Sequence, residues 1–263
     1  MTVPRLLVVP VAVLLAWSGT ACSQEPAPAG AGNERPAVLQ AVEREGLEVL
    51  GEFEAPGGLR GFASVAGQRP VAVYVTPDGK HAVVGVMLDA RGEDVGADAL
   101  QRIVAEPMSK KIWAQLEASH WVRDGRADAP RVVYTFTDAN CPYCHRFWDA
   151  ARPWVEAGKV QLRHVMVGVI REDSANKAAA ILEADSPSAA LARNERNFET
   201  GGIQPMAAVP EGVRSKLTSN EMLMMELGFR GTPGIVFRDS AGLVQRRSGL
   251  PAPSDLPNVL GPR

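Results

Sequence analysis

The chain has 263 residues, room for one large domain or two modest ones at roughly 150 residues each. Hydrophobic residues make up 46% and charged residues 22%, the balance of a folded globular protein, which excludes a globally disordered chain. The 28 basic and 30 acidic residues leave a formal charge of −2, so nothing in the charge points to nucleic acid as a partner, and 3 cysteines are too few for a disulfide-stapled scaffold.

The N-terminus carries one positive charge at Arg5, an apolar run from Leu6 to Trp17 and small residues from Ser18 to Ala21. This is the pattern of a secretory signal peptide over residues 1–21, and the apolar run is too short to span a membrane. Cys22 follows Gly19, Thr20 and Ala21, which resembles the lipobox of bacterial lipoproteins, although Gly19 stands where Leu is usual. Acylation of Cys22 is therefore the expectation, with plain cleavage near Ala21 as the alternative. Residues 22–36, rich in Pro, Ala and Gly, read as a flexible tether.

Residues 37–90 read as a small α+β unit. The elements are a helix from Ala37 to Glu45, a strand from Leu47 to Glu54, a turn at Gly57 and Gly58, a strand from Val71 to Val75, turn chemistry from Thr76 to Lys80 and a returning strand from His81 to Leu88. So thin a core gains from burying a sheet edge in a dimer. Asp89–Gly96 reads as a hinge. A connecting helix in two pieces, Ala97–Glu106 and Met108–Ser119, is expected to be interrupted by Pro107, within a linker spanning residues 91–124. From residue 125 to 263 the order is a strand (Arg131–Thr137), a turn (Asp138–Asn140), a helix opened by Cys141–Cys144, a strand (Val160–Ile170), helices at Asn176–Ala184, Ser188–Phe198 and Ser219–Leu227, and two late strands (Gly234–Arg238 and Leu243–Arg247). That is the order of a thioredoxin fold with a helical insertion.

The chemistry is carried by Cys141, Pro142, Tyr143 and Cys144. A thiolate, not a thiol, attacks disulfides, and Cys141 stands where a helix begins, so unpaired amides and the helix dipole lower its pKa into the ~3.5–7.5 range of such thiols. Pro142 suits a first helical turn because no amide is needed there. Cys144, one turn on, is the candidate resolving thiol. Thr232 and Pro233 precede a late strand; facing a CxxC, they are expected to form a cis-proline loop whose Thr232 backbone pairs with an extended substrate.

Two other chemistries compete for these residues. Cys141–His145 also satisfies CxxCH, the attachment pattern of c-type haem with His145 as axial ligand, but the β-branched strand before it and the Thr232–Pro233 element fit thiol exchange better. Zinc lacks a second pair of ligands at the right spacing, so no metal and no cofactor is expected beyond a redox-active Cys141–Cys144 disulfide. His81, His120 and His164 read as surface or packing residues. Phe147, Trp148 and Trp154 read as core behind the cysteines, and Asp138 as a turn residue within reach of tuning them.

Further segments carry a resemblance: Glu54–Gly58, Thr76–Ala82, Ser119–Gly125, Ala151–Val155, Gly158–Arg163, Val167–Ile170, Gly231–Pro233 and Gly249–Pro251, with Cys141–Cys144. Together they resemble the periplasmic thiol:disulfide interchange proteins of the DsbC/DsbG family, on the side of its DsbG branch, which the absence of further cysteines also fits. The resemblance implies a periplasmic homodimer built from an N-terminal cystatin-like dimerisation domain, a linker helix and a C-terminal thioredoxin domain. It implies that an inner-membrane reductant of the DsbD type keeps Cys141 reduced. The substrates would be misoxidised periplasmic proteins, their disulfides and sulfenic acids, bound with chaperone-like contacts in the cleft. A thiol oxidase of the DsbA type is the alternative within the same fold. The chain departs from the family in having His145 where Lys is frequent and Gly234 where Ala is usual. With Pro142 and Tyr143, the titratable His145 is expected to tune the cysteines.

Overall fold

The computed structural model describes residues 35–67 and 69–262; the expected signal peptide, Cys22 and most of the expected tether lie outside the described residues. Helix α1 (Val38–Arg44) covers one face of a sheet formed by β1 (Leu47–Glu54), β2 (Arg60–Ala66), β3 (Arg69–Val75) and β4 (Ala82–Val84), paired antiparallel in that order. β2 is absent from the sequence expectation because Gly61, Ala63 and Ser64 carry little strand propensity. Its place makes it a strand: Phe62 packs under Leu39 and Val42 of α1, while Ala63 and Val65 pack against Val104 on the opposite face. The returning strand is shorter than the expected His81–Leu88. After Val84 the chain leaves the edge at Gly85, whose φ is 150°, and Leu88 makes only a single bridge to Asp94.

The expected break at Pro107 does not occur. α2 (Ala97–Leu100) passes through a π-helical turn, Gln101–Ala105, directly into α3 (Glu106–Ala118). Pro107 directly follows the π turn, whose wider spacing leaves room for its ring within the continuous helix. This helical stretch serves both halves of the chain. Leu100, Ile103, Val104 and Met108 pack on the first sheet, and Ile112, Trp113 and Leu116 pack on the second.

The second sheet has the order β5-β7-β6-β8-β9, made of β5 (Trp121–Asp124), β6 (Arg131–Asp138), β7 (Val160–Val167), β8 (Gly234–Arg238) and β9 (Val244–Ser248). β6 and β7 run parallel and the other pairs antiparallel. β6 is covered on both faces, as its continuous apolar character requires. Val133 points to α4 (Pro142–Glu156) and α8 (Leu256–Leu260), and Tyr134 and Phe136 point to α3 and α7 (Glu211–Glu226). α7 begins eight residues before the expected Ser219, and α8 was not expected. Between β7 and β8, α5 (Ser174–Leu182) and α6 (Pro187–Arg196) form a helical insertion with its own apolar cluster around Ile181, Leu191 and Leu217. The result is a thioredoxin-like C-terminal unit whose central strand ends three residues before Cys141.

The end of β7 approaches the start of α5 so closely that a Cβ on Gly168 would stand 2.7 Å from the Cα of Ala175 and 2.8 Å from its backbone nitrogen. Backbone cannot move aside as a flexible side chain can. Gly168→Ala is therefore expected to destabilise the protein by about 1–3 kcal/mol, read as a lower urea midpoint at unchanged slope.

Candidate active site

Cys141 takes the N-cap position of α4 with an extended backbone (φ −84°, ψ 113°), and its Sγ accepts the backbone N–H of Cys144 at 3.2 Å. The sulfur thus stands where a helix cap would ordinarily place a Ser or Asp oxygen. Pro142, the first helical residue, has no amide to satisfy, and Tyr143 beside it is 53% exposed. Cys141 and Cys144 are both buried and unbridged. The Thr232–Pro233 peptide is cis and lies against the pair: Cys141 Sγ stands 3.4 Å from the Thr232 carbonyl oxygen, to which it donates only when protonated, and the Thr232 hydroxyl is buried without a hydrogen-bond partner. Gly234 follows directly. A Cβ there would stand 2.7 Å from Cγ of Phe229, so the aromatic ring under the loop fills the space that the more usual Ala would take.

This geometry separates the two thiols. Cys141 is lowered to about 6, first by the hydrogen bond from the Cys144 thiol, with burial opposing, and then by Thr232 and the amides of Cys144 and Tyr143. Cys144 moves the other way: burial raises it well above an ordinary thiol, and the neighbouring Cys141 charge raises it further. One sulfur is thus an anion at neutral pH and the other holds its proton.

Asp138 is more than a turn residue. It is buried, its Oδ1 accepts from the Asn140 amide at 2.8 Å and the Ser174 hydroxyl at 2.8 Å, and its Oδ2 accepts from the amides of Val169 at 2.7 Å and Ile170 at 2.9 Å. Four bonds hold the turn before Cys141 against the loop after β7. Sequence reasoning missed the groups that complete this clamp. The Asn140 amide donates to Asp173 and Ser174 and its carbonyl accepts from Lys177, whose ammonium also reaches Gly201 O. Asn194 donates to Ala139 O at 3.2 Å, and Glu195 Oε2 lies 3.1 Å from His145 Nδ1. All are polar residues of the insertion or the turn with no spacing motif to betray them.

Phe147, Trp148 and Trp154 are buried behind the cysteines, as their helical spacing implies. His81 and His120 are exposed, whereas His164 is buried, with Nδ1 3.0 Å from Thr137 Oγ1 and Nε2 3.5 Å from Asp124. Burial would raise the Asp124 carboxyl, but His164 and Arg152 outweigh it and hold it at about 2. Arg152 lies over the Trp148 ring, 4.1 Å from its centroid. Among the described residues no group of three or more His, Cys, Asp or Glu is arranged to hold a metal ion.

A family model for a thioredoxin-like domain matches residues 123–261. The chain is 47% identical to the thiol:disulfide interchange protein DsbG of Pseudomonas aeruginosa over 89% of its own length and 92% of that protein's. It is 39% identical to DsbG of Escherichia coli over 87% of its length and 92% of that protein's, and 26% identical to DsbC of Salmonella typhimurium over 65% and 69%. The two DsbG matches span the first sheet as well as the second, and with the paired thiols at the start of α4 they settle the choice between thiol exchange and haem attachment: the chain belongs to the DsbC/DsbG family of thiol:disulfide interchange proteins.

Proposed function

We propose that this periplasmic thiol–disulfide oxidoreductase works as a reductase and isomerase of misoxidised protein cysteines, with Cys141 as nucleophile and Cys144 as resolving thiol. The Cys141 thiolate attacks an oxidised substrate sulfur and forms a mixed disulfide. Cys144 then attacks Cys141, releasing the reduced substrate and leaving a Cys141–Cys144 disulfide. In isomerisation a second substrate thiol does the resolving and the pair returns reduced. Thr232 and Pro233 line the approach to Cys141 and offer backbone to an extended substrate segment. Exposed Tyr143 adds an apolar contact beside it. A donor of the DsbD type is needed to reduce the pair between turnovers.

The observation that carries this reading is the asymmetry of the two thiols. A reactive thiol at about 6 lies far nearer the ~7 of thioredoxin than the ~3.5 of DsbA. The less a thiolate is stabilised, the less the reduced form is favoured, which supports the reductase and isomerase reading over a thiol oxidase of the DsbA type.

The domain assignment belongs to the same proposal: residues 37–90 as a cystatin-like dimerisation domain, 91–124 as linker and 125–263 as catalytic domain. β4 is an edge strand of three residues, and Val83, Val84, Val86 and Leu88 on and beyond it are all exposed. An apolar open edge is a template for a second copy of itself. Acylation of Cys22 would hold such a dimer at a membrane surface through residues 22–36.

Three outcomes are expected. Iodoacetamide labelling of Cys141 in the reduced protein should rise with pH to a midpoint at about 6 and level off above it, while an ordinary thiol continues to rise to about 8.5; a midpoint above 8 removes the nucleophile from this account. Because the folded Cys141 value is depressed, its stabilising contribution is complete above the unfolded value and is lost as pH falls through about 6. The thermal midpoint of the reduced protein should therefore gain on that of the oxidised protein between pH 5 and pH 8, measured by calorimetry, and a constant difference contradicts it. Val84→Asp should convert the dimer to monomer in light scattering after size exclusion, with Cys141 labelling unchanged.

A further inference from the structure

One end of the second sheet is more apolar than a solvent-facing surface needs to be. β6 and β7 run parallel and finish together, with Asp138 opposite Val167. β8 starts and β9 finishes at that same end, since Gly234 pairs with Phe136 on one side and with Ser248 on the other. Four segments therefore meet there in strand order: Val169 and Ile170 after β7, Cys141 and Tyr143 after β6, Thr232 and Pro233 before β8, and Leu250 after β9. Among the described residues of the thioredoxin-like unit, the exposed large apolar side chains are Tyr143, Val169, Ile170, Met222, Met225 and Leu250. The two methionines lie on α7. The others all lie at this end, with Tyr143 53%, Val169 46%, Ile170 45% and Leu250 37% exposed. None of these belongs to an apolar cluster of the fold. Single apolar residues are ordinary on a surface, but their concentration around one reactive atom is not.

The backbone nonetheless holds these residues in place. The amides of Val169 and Ile170 donate to Asp138 Oδ2 at 2.7 and 2.9 Å, and the Gly249 amide, next to Leu250, donates to Pro233 O at 2.8 Å. Cys141 is buried, with the Thr232 carbonyl oxygen 3.4 Å from its sulfur, so a substrate sulfur reaches it on a segment laid against this end of the sheet. Neighbouring strands stand about 4.8 Å apart, so the row from β7 to β9 spans roughly 14 Å, the reach of about four extended residues. Cys141 follows the strand next to that of Val169 and Ile170 and lies two strands from that of Leu250.

We propose that Val169 and Ile170 on one side of Cys141 and Leu250 on the other are specificity-determining residues, which select oxidised cysteines in extended segments with apolar residues within about three positions on each side. This rests on the assignment of Cys141 as nucleophile. The chemistry fixes the occupant: a segment that delivers a disulfide to Cys141 Sγ covers these side chains as it does so, and an apolar flank gains by removing them from water. Such cysteines belong to the interiors of folded proteins and lie open when a wrong disulfide keeps a chain from folding. The platform is built from the thioredoxin-like unit alone, apart from the open edge at β4. In the exchange the Cys141 thiolate attacks one sulfur of the substrate disulfide and bonds to it, the substrate S–S bond breaks, and the other sulfur leaves with the electron pair as a thiolate.

The test uses the full-length reduced protein and the symmetric disulfides of two short peptides, each with one central Cys, flanked in one by Leu and Val and in the other by Ser. The peptides are matched in charge, because Arg171, Glu172 and Arg230 are exposed beside the row. The reaction is acid-quenched and the adduct of peptide and Cys141 is followed by mass spectrometry. Below saturation the wild type should react about tenfold or more faster with the apolar peptide, the scale of burying one large apolar side chain. In the protein carrying both Val169→Ser and Ile170→Ser, and in Leu250→Ser, that preference should fall about threefold or more, through a higher half-saturating concentration of the apolar peptide at an unchanged limiting rate. Met222→Ser, which removes an equally exposed apolar side chain from α7, should keep the preference. A site merely distorted by substitution slows both peptides alike and leaves their ratio standing. No preference in the wild type, a preference that survives in both sets of variants, or an equal loss in Met222→Ser overturns the proposal. Failure of the wild type to form an adduct at Cys141 with either peptide instead overturns the functional reading on which it rests.

Discussion

A helix must begin with amides that have no partner inside it, and in α4 a sulfur answers that need. The Cys144 N–H points at Cys141 Sγ. An anion is the better acceptor for that hydrogen, so the cap that the helix needs also favours a thiolate at Cys141. The same geometry sets the role of the second cysteine. Three residues into the helix, Cys144 lies on the inner side that packs toward the sheet, where desolvation favours the neutral thiol. The two sulfurs share one turn of helix and differ because one caps it and the other is buried beneath it.

Placing that cap is the task of the surrounding fold. β6 is the central strand of its sheet and ends at Asp138, so the turn carrying Cys141 starts from one of the most constrained points of the chain. Asp138 spends its four hydrogen bonds on that turn and on the loop after β7, and Asn140 extends the grip to Asp173, Ser174 and Lys177. The cis Thr232–Pro233 peptide meets the sulfur from β8, the strand hydrogen-bonded to the other side of β6. The loop that grips the turn before Cys141 and the peptide that meets its sulfur thus arrive on strands paired to β6 itself.

What could be read from the sequence follows the range of the signals. Cys141–Cys144 with Pro142, the β-branched run of β6 and the alternation of helix and strand after it are local, and they placed the thioredoxin-like unit and its paired cysteines. β2 was invisible because Gly61, Ala63 and Ser64 look like loop when read singly, while its pairing to β1 and β3 and its cover on both faces come only from the fold. β5 is only four residues long, Trp121–Asp124, and takes its form from pairing with β7. Pro107 was read as a break because the tolerance of a π turn for its ring has no sequence signature. Lys177, Asn194 and Glu195 are ordinary helix residues by composition; only the fold brings them to Asn140, Ala139 and His145.

Those residues also bear on why the insertion exists. A buried carboxylate is costly, and an ion pair removed from water seldom stabilises more than apolar side chains of the same volume would. Around α4 the chain nonetheless buries Glu195 against His145, Lys177 against Asn140 and Gly201, and Asp124 against Arg152 and His164. Stability alone does not account for three such groups, since Ile181, Leu191 and Leu217 already give the insertion an apolar core. What the polar groups add is direction. An apolar contact lets a turn slide, whereas a hydrogen bond to Ala139 O, to Asn140 Oδ1 or to His145 Nδ1 is satisfied in one arrangement only. The insertion therefore acts as a rigid jaw on the residues before and after the two sulfurs. It keeps that turn in one arrangement while the two sulfurs pass between dithiol and disulfide.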